Sequence, residues 1–86
     1  MQTTDVERDI YNFIVDNFLY GKPNGLSREE SLLGRGVIDS TGVLELVTFV
    51  QDHFGISIED DEVIPNNLDS VANLVNFVSR KSGIAA

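Results

Sequence analysis

The most suggestive chemistry in this chain belongs to a serine that follows an acid. Asp39 and Ser40 stand directly before an apolar-periodic run in the stretch VIDSTGVLEL. Either residue type accepts hydrogen bonds from the free N–H groups of a first helical turn, which indicates a helix cap. The same N–H groups and the helix dipole favour a phosphate, which makes Ser40 a candidate attachment point for a phosphodiester. An Asp-Ser pair alone is far more often a cap, so the remaining sequence has to decide.

Other groupings of reactive residues fail on spacing. His53 lies at the far end of the predicted helix that begins at Ser40, about 20 Å away at 1.5 Å per residue, whereas a Ser–His nucleophile pair needs hydrogen-bond contact. The acid run at residues 59–62 lacks the ligand alternation, the glycine and the terminal glutamate of a calcium loop. We therefore predict no metal site and no catalytic activity.

Composition restricts the class of protein and its partners. The chain has 86 residues, enough for one domain, which we predict to span residues 1–86, and no cysteine. Its net charge of -8 repels nucleic acid and favours basic patches on protein partners. It shows no signal-peptide pattern and no apolar run of about 20 residues. These features predict a cytoplasmic monomer with no nucleic-acid or membrane partner, and any thiol chemistry would need a borrowed sulfur.

Hydrophobic periodicity predicts the elements that position Ser40. Main helices are expected at residues 4–18, 40–54 and 70–81, because apolar residues recur there at helical spacing. A short third helix is expected at 59–64, ending before Pro65, and a long loop at 21–38. These elements predict an all-α fold, a four-helix bundle with three main helices, one short helix and a long first loop.

The helix predicted at 40–54 has two unlike faces. Val43, Leu46, Val47, Val50 and Phe54 form an apolar stripe flanked by Leu44 and Phe49. The opposite face carries Thr41, Glu45, Thr48 and Asp52. One face is therefore expected in the core, and the other is available to a partner.

Three stretches, SLLGRGVIDS, VLELVTFVQDHFGISIEDDEV and NLDSVANLVNFV, together resemble the acyl carrier protein family over nearly the whole chain. In that family the serine of an Asp-Ser dipeptide, at the start of the second of four helices, receives 4′-phosphopantetheine from coenzyme A. The resemblance implies attachment at Ser40, with Asp39 as its motif partner, by a separate phosphopantetheinyl transferase. The arm's thiol would carry an acyl group as a thioester, which supplies the missing sulfur.

The resemblance also implies a docking surface for basic patches on the transferase and on the ligase or synthase that loads the carrier. Its expected residues are Thr41, Leu44, Glu45, Thr48 and Asp52. Where the family usually has leucine, this chain has Thr41, and Gly42 and Arg35 are further departures. They indicate a specialised stand-alone carrier rather than the general fatty-acid carrier.

The cargo stays open at the level of sequence. An acyl chain of a lipid, polyketide or other secondary pathway is one alternative, and an aminoacyl or peptidyl group is another. Val43, Leu46 and Phe49 could shelter a short acyl chain, or Phe49 could fill that space. A third alternative, of a different class, is an unmodified acidic interaction module in which Ser40 is only a helix cap.

Overall fold

The computed structural model describes residues 3–22 and 25–82, with residues 3 and 4 described by their backbone only. These ranges hold five α-helices, a 3₁₀ turn at Asp60–Glu62 and no strand, which confirms the all-α prediction. The helices are α1 (Thr3–Phe18), α2 (Leu32–Arg35), α3 (Ser40–Phe54), α4 (Pro65–Leu68) and α5 (Val71–Ser82).

The three long helices α1, α3 and α5 contact one another and enclose the core. On α1 the fully buried residues are Val6, Ile10 and Ile14, spaced four apart so that they share one face. Leu46 and Val50 repeat that spacing on α3. α5 supplies the largest share of the core, with Val71, Leu74, Val75, Phe77 and Val78.

The first turn of α3 packs closely against α1 at a glycine. Gly42 is buried, and a Cβ atom there would lie 3.1 Å from the Phe18 ring and 3.3 Å from the Ile38 side chain. Glycine costs helix stability in the middle of a helix. Here it allows the start of α3 to pack closely, which accounts for one departure from the family pattern.

The short third helix predicted at 59–64 is shorter than expected and of a different type. Residues 60–62 form only one 3₁₀ turn, closed by a capping box between Glu59 and Glu62. Ile64 is extended, as a residue before proline prefers to be. Pro65 then begins α4, because its ring suits the first helical position and its missing N–H would be unbonded there. The proline starts a helix rather than ending one.

The long loop predicted at 21–38 contains α2 in its described part. Ser31 caps α2, its hydroxyl accepting from the Gly34 N–H, and Gly36 ends it with φ 79°. Leu32 is fully buried, whereas Leu33 is 42% exposed. The loop is therefore fixed to the core by Leu32, and Leu33 lies at the surface.

Candidate attachment site and partner surface

The start of α3 separates the cap from the candidate attachment residue. Asp39 is the N-cap, with its Oδ1 accepting a hydrogen bond from the Gly42 N–H at 2.8 Å. Ser40 is the first helical residue and is exposed. Its hydroxyl makes no hydrogen bond to the described residues of the chain. The interpretation of Ser40 as the cap is wrong, because Asp39 already bonds to the N–H that a cap satisfies.

The residues predicted to meet partners lie on the outside of α3. Thr41, Leu44, Glu45, Thr48 and Asp52 are all exposed, and Leu44 is 65% exposed. Except for Asp52, they line a shallow groove between α3 and α1, which contributes Phe13 and Asn17. They form one continuous surface, although their contact with a partner stays a prediction.

Phe49 joins α3 to α1. Its ring stacks on Phe13 with centroids 4.0 Å apart and on His53 at 4.9 Å. His53 Nε2 lies 2.9 Å from Asp9 Oδ2 on α1. This hydrogen bond is the main cause that lowers the pKa of Asp9, which Arg8 also lowers. Phe49 and His53 therefore connect two helices.

A small apolar cavity of about 70 Å³ lies beside the start of α3. Of the three residues that the sequence placed near the cargo, Val43 lines it, while Leu46 and Phe49 do not. Sequence reasoning missed the other lining residues because they come from separate segments. No local pattern in the sequence marks these residues, and two of them, Leu33 and Ile64, stand out only in the structure as partly exposed apolar side chains. The full lining is Leu33, Ile38, Val43, Val63, Ile64, Pro65, Leu68 and Asp69.

Comparison with known proteins assigns the family. No family model matches the chain. The chain is similar to the probable acyl carrier protein PigG of Serratia sp. (strain ATCC 39006), with 31% identity over 75 residues. The match covers 87% of this chain and 86% of that protein. The chain belongs to the acyl carrier protein family. The resemblance seen in the sequence is thereby confirmed.

Acyl carrier proteins are non-catalytic carriers. Membership of this family is therefore consistent with the prediction that the chain has no catalytic activity. It also implies a covalently bound phosphopantetheine arm. Within the described ranges, no helix of this carrier combines the length and apolar character needed to cross a membrane. Across the same residues, no three acidic or histidine side chains are grouped so that they could hold a metal ion.

Proposed function

We propose that this protein holds an acyl intermediate on a 4′-phosphopantetheine arm attached to Ser40 and presents it to enzymes of a lipid, polyketide or other secondary pathway. The observation that carries the proposal is the exposed Ser40 hydroxyl at the first position of α3. Asp39 performs the capping, so Ser40 has no structural task at the helix start. A hydroxyl in this position is accessible to a transferase.

Attachment uses the chemistry of Ser40 and that of a separate enzyme. The Ser40 hydroxyl attacks the phosphorus of coenzyme A that bears the pantetheine, loses its proton to the transferase, and the adenosine bisphosphate leaves. Asp39 holds the helix start in place through Gly42. The phosphodiester lies at a helix N-terminus, where the dipole favours negative charge. When attached, the arm supplies a thiol that carries the acyl group as a thioester.

The cavity beside α3 supports an acyl cargo over an aminoacyl cargo. Ile38 and Val43, which line it, are near neighbours of Ser40 in the chain. Among the described lining residues, Asp69 is the one that ionises, and each of its carboxylate oxygens accepts one hydrogen bond from the chain. A cationic amino group would lose most of its hydration on entering this space, because the other described lining residues, apart from Asp69, are apolar. An apolar chain has no such cost.

The proposal assigns the four-helix arrangement of a carrier domain to residues 1–86. The long helices α1, α3 and α5 support it, and the short helical segments between α3 and α5 stand where the third helix was predicted. The exposed face of α3 serves as the docking surface for the transferase and for the ligase or synthase that loads the cargo. The cytoplasmic location and the monomeric state stay predictions.

Loading with coenzyme A tests the proposal directly. The protein is incubated with coenzyme A, Mg²⁺ and a broad-specificity phosphopantetheinyl transferase, and its intact mass is measured. We expect the wild type to gain the mass of one arm and Ser40→Ala to gain none. Ser57→Ala, which alters another exposed serine, is the matched control and should load normally. A wild-type protein that stays unmodified would contradict the proposal.

A further inference from the structure

Asp69 connects two segments that are far apart in the chain. It ends α4, where its N–H donates to the carbonyl of Pro65 at 2.9 Å. Its side chain and carbonyl accept three hydrogen bonds from the start of α2. The Ser31 hydroxyl donates to Oδ2 at 2.5 Å, the Leu33 N–H to Oδ1 at 2.9 Å, and the Leu32 N–H to the carbonyl at 2.6 Å.

Ser31 extends this connection into α2. Its Oγ accepts from the Gly34 N–H at 2.9 Å while its hydroxyl donates to Asp69. A Cβ atom at Gly34 would lie 2.9 Å from that Oγ, so a larger residue would displace the serine. The three residues form a continuous chain of hydrogen bonds from the backbone of α2 to the end of α4.

The two segments that Asp69 joins are also two walls of the apolar cavity. α2 contributes Leu33, and the α4 side contributes Ile64, Pro65 and Leu68. Leu33 and Ile64 are 42% and 43% exposed, which places them at the cavity's mouth. Because Asp69 holds the Leu33 N–H, the wall formed by α2 moves away from α4 only if that hydrogen bond breaks.

The size of the cavity limits what fits while the walls stay in place. A cavity of about 150 Å³ accommodates benzene, with its six carbons. At about 70 Å³, this cavity has room for roughly three carbons by the same scale. A longer chain either leaves part of its length outside the mouth or requires one wall to move.

We propose that Asp69 is a positioning residue that latches α2 to α4 and thereby limits the cavity to short acyl chains. The inference rests on the proposed carrier function and deepens it by naming the cargo class and the residue that sets its length. Ser31 is the second part of the latch, since it bonds to the other carboxylate oxygen. Releasing the two side-chain hydrogen bonds frees the Leu33 side of α2 and enlarges the cavity, while the Leu32 N–H stays bonded to the Asp69 carbonyl.

The unloaded protein tests the latch itself. We expect Asp69→Ala to raise amide exchange at Leu33 and Gly34 by about tenfold or more, the range for losing a hydrogen bond to a charged group. Binding of the dye anilinonaphthalene sulfonate should also rise in Asp69→Ala.

Asp69→Asn should stay close to wild type in both amide exchange and dye binding, because an amide can accept from the Leu33 N–H and donate to Ser31. Asp16→Ala, an exposed acid on α1, is the control and should change neither. Unchanged exchange in Asp69→Ala would overturn the proposal.

Loaded proteins test the consequence for cargo. Butyryl, octanoyl and dodecanoyl arms are attached, and the thermal midpoint is compared with that of the acetyl form, because an enclosed chain stabilises the folded state. We expect butyryl to stabilise the wild type most, and octanoyl to stabilise Asp69→Ala most. The same order of stabilisation by the three chain lengths in both proteins would contradict the length limit.

If Asp69→Ala folds poorly, Ser31→Ala replaces it and should shift the most stabilising chain in the same direction, towards octanoyl. Failure to attach any arm would refute the carrier function, while the exchange and dye results would still decide whether Asp69 closes the cavity.

Discussion

Asp39 and Ser40 are adjacent, and the structure gives them different tasks. The carboxylate of Asp39 turns back to the Gly42 N–H, because a residue in extended conformation before a helix can place its side chain over the first turn. Ser40 is already inside the helix, and it is exposed. A short acid therefore stabilises the helix start, and the hydroxyl beside it is free to react.

This division predicts unequal effects on stability. Asp39→Ala should lower the free energy of unfolding by about 1 kcal/mol, the usual cost of a lost N-cap. Ser40→Ala should leave it nearly unchanged, since it removes no hydrogen bond to the described chain. Urea unfolding of the two unloaded variants measures both. Equal losses in the two variants would show that Ser40 also contributes to the cap.

At the scale of elements, the segment between α3 and α4 is attached to the C-terminal end of α5 by one carboxylate. Glu62 Oε1 accepts from the Glu59 N–H at 2.9 Å and from Lys81 Nζ at 2.9 Å. The Glu59 N–H, and next Lys81, lower the pKa of Glu62. A 3₁₀ turn too short to bury a core residue is thus held by polar contacts.

The lowered pKa predicts a pH dependence of stability. A carboxylate with a lower pKa in the folded state binds protons more readily when unfolded, so its contribution is complete above its unfolded pKa of about 4.5. That contribution is lost as the pH falls through the lower, folded value. Glu62→Gln should therefore be less stable than wild type at neutral pH and lose less stability on acidification. Unfolding midpoints from pH 7 to pH 3 test this, with Glu45→Gln as an exposed control. Parallel pH profiles for wild type and Glu62→Gln would contradict it.

At the scale of the whole molecule, 14 acids against 6 Lys and Arg give a protein whose surface attracts basic partners. Glu45 and Asp52 lie on the outside of α3, beside the exposed Leu44. Charge complementarity acts mainly on encounter rate and partner choice, while apolar contact holds the bound state. The outer face of α3 offers both contributions near Ser40.

Docking should therefore depend on Glu45 and on salt. We expect Glu45→Gln to raise the KM of the transferase for this carrier by roughly two- to fivefold, as for one exposed ion pair. The effect should shrink as the salt concentration rises, because salt screens exposed charges. Asp16→Asn on α1 carries the same change of charge and should have a smaller effect. If both variants behave alike at every salt concentration, net charge alone governs docking and Glu45 has no particular role.

The long helices were predictable because each buries a stripe whose spacing is visible in the sequence. The predicted ranges 4–18, 40–54 and 70–81 lie within one residue of the observed α1, α3 and α5 at each end. The third helix is shorter than predicted, and α4 was missed because Pro65 can either follow one helix or begin the next, and local sequence favours neither. Phe49 was placed near the cargo, whereas its stacking on Phe13 turns it towards α1.

The sequence by itself determined the three long helices, the acidic composition and the Asp39-Ser40 pair, because these depend on residues within a few positions of one another or on residue counts alone. Only the tertiary structure decided the cavity and the latch. Its hydrogen bond between Ser31 and Asp69 joins residues 38 positions apart, and no periodicity links residues at that separation. Contacts of this kind arise when the long helices bury their apolar faces against one another and thereby bring the connecting segments together. They therefore follow from the packing of the helices and not from the spacing of residues in the sequence.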